Sequence, residues 1–333
     1  MQKVGESMSE PAVSVIIPVL NEERFLKQSV QAILNQNYSG EMEVILALGP
    51  SKDHTNKIAQ ELAQDKRIKL VENPSGKTAS ALNNAIKKSN FDIIVRLDGH
   101  AIVDNSYIKN AVKTLLDTGA DNVGGLMFAQ GTNAFEKSVA AAMTSKFGVG
   151  NAPFHVGGKS GEVDTVYLGT FKKSALERVG YFDESFIRAQ DWEMNYRIRK
   201  TGGKIWFNPD LVVTYRPRKN LRELAKQYFE YGQWRKHVTK TYPETVSLRY
   251  LAPPITVSGL FVGFLLIFLS QILDIQFLQF GWLAPGVYLA VILLAFMTIK
   301  SKISVMSRLY LLLVLPTMHL SWGVGFLKGS KRL

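Results

Sequence analysis

Two hydrophobic patterns alternate along the first hundred residues of the chain. Short apolar runs of the type that forms buried parallel strands occur at 13–20, 43–48, 68–71 and 91–98. Segments with apolar residues at helical spacing lie between them, at 25–34, 55–63 and 79–88. Asn21 precedes the first of these segments and is expected to cap it. Because strands and helices alternate with short connections, the pattern predicts a Rossmann-like α/β half with parallel strands and right-handed crossovers.

The pattern is less regular from there to about residue 250. Strand-type composition occurs at 124–128 and 164–171, and helices are predicted at 173–179 and 188–199. Between 221 and 236, leucines and aromatic residues recur at helical spacing with arginines and lysines between them. This suits an interfacial membrane helix, and nearly as well a helix packed against a domain. Three apolar stretches of bilayer-spanning length follow, at roughly 252–273, 280–299 and 309–327.

The composition changes abruptly near residue 251. From there on, Asp274 is the only acidic residue among long apolar runs, and this segment carries +5 of the formal net charge of +12. Basic residues beside apolar spans meet anionic headgroups more often than nucleic acid, so membrane lipids are the expected partner and nucleic acid is not. The predicted division is a polar tail over 1–11, an α/β domain over 12–218, an amphipathic segment over 219–250 and a membrane domain over 251–333.

Two further compositional features limit the chemistry and the topology. The chain has no cysteine, which excludes disulfides, thiolate zinc sites and cysteine nucleophiles. Residues 1–11 are polar and lack an apolar core, so no secretory signal is expected there. Membrane attachment is therefore expected to come from the C-terminal apolar stretches.

The basic residues of the C-terminal segment leave two topologies open. Lys300, Lys302 and Arg308 lie between the last two apolar stretches and suit the cytosolic side. Three full crossings would then place Lys328, Lys331 and Arg332 outside, against the positive-inside rule. Three crossings, and two crossings plus a re-entrant or interfacial segment, both remain possible.

A candidate ligand site follows the fourth strand-type run. That run ends at Asp98, and Gly99 and His100 come directly after it. Ligands of open α/β sheets bind at the carboxyl ends of strands, so this carboxylate and imidazole could hold a divalent cation against a diphosphate. The same three residues also suit an ordinary turn. The absence of a G-x-G-x-x-G motif and of a P-loop argues against a nicotinamide cofactor and leaves a carboxylate–metal arrangement for any nucleotide.

Several short motifs occur in a fixed order along the chain. They are Ile17-Pro18-Val19-Leu20-Asn21-Glu22, Ser51-Lys52-Asp53, Asn73-Pro74 with Lys77, Ala81-Leu82-Asn83-Asn84-Ala85-Ile86, and Asp98-Gly99-His100. In this order they resemble the family 2 glycosyltransferases. Among these, the chain is most similar to the bacterial succinoglycan-type glucosyltransferases, in which Asp-Gly-His often replaces Asp-x-Asp. The resemblance extends over residues of about 12 to 240.

The resemblance implies a GT-A fold for the α/β domain, a UDP- or GDP-sugar donor and a divalent cation, Mg²⁺ or Mn²⁺. It assigns nucleotide-sugar binding to Pro18, Leu20, Glu22, Asp53, Lys77 and Asp98, and metal binding to Asp98 and His100. A strand-end carboxylate and imidazole are ligands that such a cation accepts, and the charge of Lys77 suits phosphate. Many relatives carry an acidic pair after the second strand, where this chain has Leu48 and Gly49, so the nucleotide base is left open.

Asp191 is the expected catalytic base. It lies at the start of the predicted helix 188–199, where the dipole and the unpaired amides favour a carboxylate. By itself this position suits a simple N-terminal cap, but it also matches the Glu-Asp motif of the family, whose Asp is the base. Gln190 replaces the Glu of that motif, and Trp192 is expected either beside the sugar or acceptor or in the core.

Two other segments are less specific. His155 lies in a stretch rich in glycine and small residues, where it is either a surface-loop histidine or part of a loop that contacts the acceptor. Relatives that extrude polymers carry Gln-x-x-Arg-Trp near residue 233. This chain has Gln233-Trp234-Arg235, which does not match that spacing, so processive synthesis is not predicted.

The sequence thus predicts an inverting, metal-dependent hexosyltransferase of polysaccharide or glycolipid synthesis. Its acceptor would be a hydroxyl of a lipid-linked or growing glycan, and its catalytic domain would lie on the cytoplasmic side of the plasma membrane as part of a multi-pass protein. Two alternatives are a polyprenyl-phosphate glycosyl synthase, whose acceptor needs no general base, and a non-catalytic membrane scaffold that binds nucleotide sugar.

Overall fold

The computed structural model describes residues 10–299 and 302–329. Most of the predicted polar tail (1–9), together with Lys300, Lys331 and Arg332, lies outside the described residues. Within that range the chain forms two compact units. The first comprises the residues up to Phe128 and Gly157–Tyr215, and the second comprises Ala129–Val156 and the residues from Arg216 onward.

The first unit is built on one mixed sheet, which has nine strands within the described residues. Its main path runs in the order β3-β2-β1-β4-β8-β6-β9-β5, and β7 pairs with β9. The strands are β1 Val13–Val19, β2 Met42–Leu48, β3 Ile68–Glu72, β4 Ile93–Arg96, β5 Ile102–Val103, β6 Asn122–Ala129, β7 Gly161–Glu162, β8 Tyr167–Lys172 and β9 Ile205–Tyr215.

The direction of the strands changes in the middle of this sheet. β1 pairs in parallel with β2 and β4, and β2 pairs in parallel with β3, as the alternating pattern of the first hundred residues predicts. β8 then pairs antiparallel with both β4 and β6, and β9 pairs antiparallel with β5 and β7. Within the parallel part, β1, β2 and β4 are buried on both faces, which explains why these strands read as continuous apolar runs.

Helices cover both faces of the parallel part by burying one apolar stripe each. In the first of them, Leu26, Val30 and Ile33 are buried at helical spacing against the sheet. Asn21 does not cap this helix as expected. Phe25 occupies the N-cap position, and the side-chain oxygen of Asn21 instead accepts a hydrogen bond from the Lys52 amide. The helices of this unit are α1 Leu26–Leu34, α2 Thr55–Leu62, α3 Thr78–Lys88, α4 Tyr107–Thr118, α8 Lys173–Arg178 and α9 Gln190–Lys200.

The second unit is helical and contains the predicted apolar stretches. Its three C-terminal helical segments, Leu248–Leu273, Gln276–Thr298 and Val305–Lys328, are long and apolar enough to cross a membrane. Its α-helices are α5 Ala134–Met143, α6 Lys146–Val149, α7 Pro153–Val156, α10 Leu221–Thr241, α11 Leu248–Leu273, α12 Leu283–Thr298 and α13 Val305–Lys328, with short 3₁₀ helices at Pro243–Thr245 and Gln276–Trp282.

Close backbone packing holds α10 against α13. A Cβ placed on Gly232 of α10 would lie 2.0 Å from the Trp322 carbonyl oxygen, and one on Gly325 of α13 would lie 2.1 Å from the Phe229 carbonyl oxygen. Only glycine permits these two approaches. The Lys236 ammonium also donates to the Leu327 carbonyl at 2.7 Å, so α10 packs against the last turns of α13.

The excursion formed by residues 129–156 also packs on α13. Phe135 contacts Tyr310 edge-on, with ring centroids 5.7 Å apart, and a ring nitrogen of His319 lies 2.7 Å from the Phe147 carbonyl oxygen. The predicted α/β domain of 12–218 included this excursion. The grouping of contacts assigns it to the helical unit instead.

Candidate active site

The loops that follow β1, β2 and β4 meet at one edge of the sheet. Val19, the last residue of β1, pairs with Leu48, the last residue of β2, and Arg96 at the end of β4 pairs with Ile16. The three strands are parallel, so their carboxyl ends lie together, as in the ligand crevice of other α/β proteins. The candidate site is built on these loops and on the beginning of α9.

Arg96 joins the two acidic residues of the candidate site. One of its guanidinium nitrogens donates to a carboxylate oxygen of Asp191, and another lies 3.4 Å from a carboxylate oxygen of Asp98. The Arg96 side chain is 4% exposed, whereas those of Asp98 and Asp191 are 22% and 24% exposed. A buried guanidinium thus holds two partly solvent-accessible carboxylates around itself.

The sequence motifs did not reveal the role of Arg96, although the sequence contains a signal for it. Arginine is rarely buried without partners, because taking a charge out of water is costly unless it is paired. An arginine that ends the run Ile93-Ile94-Val95 therefore indicates acidic partners nearby. Asp98, two residues later, is one such partner, and Asp191 is a second partner from a distant part of the chain.

Asp191 is the second residue of α9, in the first turn, as predicted. Gln190 is the first residue of the helix and is half-buried, and Ala189 before it has a φ of 62°. This is a left-handed conformation that alanine rarely adopts and that is typically kept where local geometry matters. Trp192 is buried and stacks on Tyr196, with ring centroids 5.5 Å apart and planes 6° apart, which is the core packing that had been left as one alternative.

Glu22 and His100 contact each other directly. A carboxylate oxygen of Glu22 lies 2.8 Å from Nδ1 of His100. Gly99 permits this approach, because a Cβ at that position would lie 2.9 Å from Cγ of Glu22. If Nδ1 carries the proton, as this partner favours, the lone pair is on Nε2, which is the arrangement found where histidine binds a metal.

The Asp53 carboxylate connects the loop after β1 to the loop after β2 through hydrogen bonds. Its carboxylate accepts hydrogen bonds from the Thr55 hydroxyl at 2.5 Å, the Thr55 amide at 3.1 Å and the Glu23 amide at 3.4 Å. Desolvation raises the pKa of Asp53, but the hydrogen bonds from Thr55 and the backbone outweigh it, so the pKa is lowered overall. Both oxygens are thus engaged within the protein, and the carboxylate is ionised at neutral pH.

The remaining predicted nucleotide-binding residues lie nearby in the same unit. Pro18 is inside β1, opposite Ala47, and is not itself at the strand end. Leu20 is 38% exposed and lies close to Gly49. A Cβ placed on Gly49 would lie 3.0 Å from Cδ1 of Leu20. Lys77 is exposed and donates to the Glu184 carbonyl at 3.3 Å, which connects the start of α3 to the loop before α9.

His155 does not belong to the same unit as these residues. It lies in α7, within the helical unit, and is half-buried rather than exposed on a surface loop. Burial, with the charge of Arg249 adding to it, lowers the pKa of His155 to about 4. The imidazole is therefore neutral at pH 7.

The predicted metal ligands form a small donor set. Among the described residues there is no group of three or more acidic or histidine side chains placed to hold a metal ion. Asp98 and His100 could provide one carboxylate oxygen and one imidazole nitrogen, and the Glu22 carboxylate orients the imidazole. Such a set fits a cation that takes few protein ligands and completes its shell with phosphate oxygens and water, as Mg²⁺ and Mn²⁺ do at nucleotide sites.

The mixed sheet and the helices that cover it form a GT-A glycosyltransferase fold. A family model described as "Glycosyltransferase like family 2" matches residues 11–230, and the chain belongs to this family. The fold, the family and the apolar C-terminal helices predicted from the sequence are thereby confirmed.

Individual relatives give the same class. The succinoglycan biosynthesis protein ExoA of Rhizobium meliloti (strain 1021) is 29% identical over 252 residues, which are 75% of this chain and 76% of the relative. A dolichyl N-acetyl-alpha-D-glucosaminyl phosphate 3-beta-D-2,3-diacetamido-2,3-dideoxy-beta-D-glucuronosyltransferase of Methanococcus voltae is 29% identical over 230 residues, covering 66% of this chain and 71% of the relative. Among solved structures, the mannosyltransferase PcManGT of Pyrobaculum calidifontis, in complex with GDP-Man and Mn²⁺, has a TM-score of 0.57 at 19% identity and covers 96% of this chain and 88% of that one.

Proposed function

We propose that this glycosyltransferase is an inverting hexosyltransferase that uses a nucleotide-diphospho-sugar and extends a lipid-linked or growing glycan. The observation that carries the proposal is the Arg96 bridge, which places Asp191 beside Asp98 at the carboxyl edge of the sheet. A carboxylate that is held by a guanidinium and is partly open to solvent is what a general base for a sugar hydroxyl requires.

The proposed reaction is a single displacement. Asp191 accepts the proton of the acceptor hydroxyl, and the hydroxyl oxygen forms a bond to the anomeric carbon while the bond from that carbon to the diphosphate oxygen breaks. A carboxylate has about four lone-pair positions, so Asp191 can stay bonded to Arg96 and still accept this proton. Attack from the face opposite the leaving group inverts the anomeric configuration, which gives a β-linkage from an α-linked donor.

The negative charge of the departing nucleoside diphosphate needs a positive partner. We assign a Mg²⁺ or Mn²⁺ ion to Asp98 and His100, where it would act as a Lewis acid on the diphosphate when bound. Lys77 would add charge against phosphate, and Pro18, Leu20, Glu22 and Asp53 would shape the nucleotide pocket, Glu22 by orienting His100 and Asp53 by fixing the loops. Gln190 and Trp192 would support the position of Asp191 in α9.

The choice of donor and acceptor is supported by what the relatives are named for. PcManGT was solved with GDP-Man and Mn²⁺, and the S. aureus TarS structure that matches this chain with a TM-score of 0.50 contains UDP. The Methanococcus relative is named for a dolichyl-linked acceptor, and the Rhizobium relative for succinoglycan biosynthesis. A UDP- or GDP-sugar and a lipid-linked glycan are therefore our proposed substrates. We place the α/β unit at the cytoplasmic face of the plasma membrane, where nucleotide sugars are made.

The test begins with donor binding and then separates binding from transfer. Calorimetric titration of the full-length protein with UDP and GDP, each with and without Mn²⁺, should give metal-dependent binding of one of them, lost in Asp98→Ala. Asp191→Asn should keep this binding while kcat falls by at least about 10²-fold, because the amide cannot take the proton. NMR of the transferred sugar should show inversion.

Two outcomes would change the proposal. If Asp191→Asn transfers at the wild-type rate, the acceptor needs no base, and a polyprenyl-phosphate synthase is the better assignment. If donor binds but is neither transferred nor hydrolysed with any metal, the protein is a nucleotide-sugar-binding scaffold.

A further inference from the structure

A second cluster of charged and aromatic side chains lies in the helical unit, and His155 is its only member that has been assigned a role above. We call it the basic–aromatic cluster, and it consists of Asn151, His155, Arg235, Arg249 and Tyr250. The guanidinium carbons of Arg235 and Arg249 lie over the Tyr250 ring, 3.9 and 4.6 Å from its centroid. Arg249 also donates to the Tyr250 hydroxyl and, at 3.5 Å, to the Asn151 side-chain oxygen.

The charges within this cluster add to each other. Arg249 donates hydrogen bonds to two neutral groups in the described part of the chain. These are the Tyr250 hydroxyl and the side-chain amide oxygen of Asn151. Burial lowers the pKa of the Arg235 guanidinium, and the neighbouring charge of Arg249 lowers it further, although Tyr250 acts in the opposite direction. Two like charges that share one aromatic ring create a positive potential, which an anion would relieve.

The beginning of α11 adds to that potential. Arg249 is the second residue of this 26-residue helix, and the Ser247 side chain at the N-cap makes no capping hydrogen bond. The unpaired amides and the dipole make a helix N-terminus favourable for anions and unfavourable for cations. A negatively charged ligand between the guanidinium and the first turn would therefore stabilise an arginine held in this position.

The chain makes room for Arg249 at this position. Gly150 has a φ of 74°, and a Cβ on it would lie 2.7 Å from Cδ of Arg249. A left-handed glycine thus lets the arginine side chain pass closely over the loop between α6 and α7. This packing keeps the guanidinium of the exposed Arg249 beside Asn151.

His155 contributes a polar atom that the protein itself does not use. Its Nδ1 atom is buried and has no hydrogen-bond partner among the described residues. Buried polar atoms without partners cost free energy, and in native proteins they commonly mark a ligand or water position. The neutral imidazole can donate to or accept from such a ligand, depending on its tautomer.

We propose that the basic–aromatic cluster binds the phosphate group of a membrane lipid. Two planar guanidiniums, a phenol hydroxyl and a helix N-terminus are the groups that recognise phosphate oxygens. The cluster stands at the first turn of the first apolar helix, which is where the headgroup level of a bilayer meets such a helix. A lipid-linked acceptor is the ligand that the proposed function supplies, and to that extent the proposal rests on it; an anionic phospholipid has the same chemistry.

The experiment measures binding without any sugar donor. The full-length protein in neutral detergent is titrated calorimetrically with farnesyl diphosphate, with dihexanoyl phosphatidylglycerol and with inorganic phosphate. Arg249→Gln is compared with Arg222→Gln, which removes another exposed arginine from α10 outside the cluster. Arg249→Gln should weaken lipid-phosphate binding about tenfold, as expected for one charge-assisted hydrogen bond, and Arg222→Gln should change it less than about twofold.

Each outcome is informative. Binding of the prenyl diphosphate alone identifies a carrier-lipid site, and binding of both lipids identifies a general headgroup site. If inorganic phosphate binds as tightly as either lipid, or if Arg249→Gln matches its control, the proposal is wrong. Asp98→Ala should leave this binding intact, and thermal unfolding of every variant checks that the fold is kept. A protein that binds lipid phosphate but transfers no sugar would contradict the proposed function and leave this site standing.

Discussion

At the scale of single residues, Arg96 determines the geometry of the candidate site. It is nearly inaccessible to solvent and contacts both carboxylates that the proposed reaction needs. Removing one partner from a buried charge cluster is costly because it leaves the others uncompensated. Arg96 is therefore a positioning residue for Asp191 in the proposed mechanism.

Arg96→Lys tests this role with the charge kept. A lysine ammonium is a point charge that cannot hold two carboxylates with a planar fork, so we expect kcat to fall by at least about tenfold. The donor KM should rise less, because the nucleotide contacts remain. Arg178→Lys is the matched control, since Arg178 pairs with Asp121 in the same unit but away from the site. Steady-state kinetics measure both, and a kcat within twofold of wild type for Arg96→Lys would contradict the assignment.

Glu22→Gln tests whether the Glu22–His100 contact serves a metal. A carboxylate behind a metal-binding histidine typically improves affinity 10- to 100-fold, so we expect Mn²⁺ to bind about 10- to 100-fold more weakly in the presence of the nucleoside diphosphate. Free Mn²⁺ is measured by its electron paramagnetic resonance signal. Glu23→Gln serves as the control, because Glu23 pairs with the exposed His54 instead. Equal Mn²⁺ affinities of the two variants would remove Glu22 from the metal site.

The sequence pointed to most of the candidate site residues through short motifs, but it missed Arg96 and the contacts that form only through the fold. Asp98 and His100 were visible because they end an apolar run. The Glu22–His100 contact, the Arg96 bridge and the stacking of Trp192 on Tyr196 were not, because each depends on how separate loops or one helix face are packed. Pattern alone also could not show that Asn21 bonds to the next loop rather than capping α1.

At the scale of secondary-structure elements, Glu43 fixes the opposite edge of the sheet. Its buried carboxylate accepts hydrogen bonds from the Ser14 hydroxyl, the Asn90 amide and the Lys69 ammonium, each at 2.6 Å, and so connects β1, β2, β3 and the loop after α3. Desolvation raises the pKa of Glu43, but these three hydrogen bonds outweigh it and lower the pKa below the usual 4.5.

Glu43→Gln should destabilise the first unit by about 1 to 3 kcal/mol at pH 7, because an amide cannot accept all three hydrogen bonds. A lowered folded-state pKa gives stability that is present above about pH 4.5 and is lost as the pH falls below it. The difference in unfolding free energy between the variant and wild type should therefore shrink towards acid. Glu41→Gln, at an exposed neighbouring position, is the control for urea unfolding. A difference that is constant with pH would rule out the carboxylate as its source.

Elements were predictable where their hydrophobic pattern is regular. β1 to β4 and α1 to α3 agree with the sequence to within a residue or two at most ends. β9 was not predicted, because Asn208-Pro209-Asp210 interrupts its apolar pattern, and β5 and β7 have only two residues each. The antiparallel half depends on pairing between distant strands, which local pattern does not encode.

At the scale of the whole molecule, the excursion of residues 129–156 determines where the chain can be cut. It belongs to the helical unit although it lies between β6 and β7 in sequence. A boundary at the end of β9, close to the predicted domain end at residue 218, therefore separates α5 from α13.

A truncated chain of residues 1–215 is expected to aggregate, because the apolar face of α5 loses α13. Replacing residues 130–156 in that truncation with a short Gly/Ser linker should restore a monomer, since the uncovered helix is gone. Size-exclusion chromatography distinguishes the two. A soluble, monomeric 1–215 chain would show that the excursion does not need the C-terminal helices.

The contact between Phe135 and Tyr310 can form only late during synthesis of the chain. The ribosome makes α5 about 175 residues before its partner α13, and at roughly 5–20 residues per second the delay is about 10 to 35 seconds. During this interval the apolar face of α5 has no permanent partner, and the bilayer surface or a chaperone must cover it. The yield of this protein in a cell should therefore depend on how fast codons 144 to 305 are translated, and on how early the nascent chain reaches the membrane.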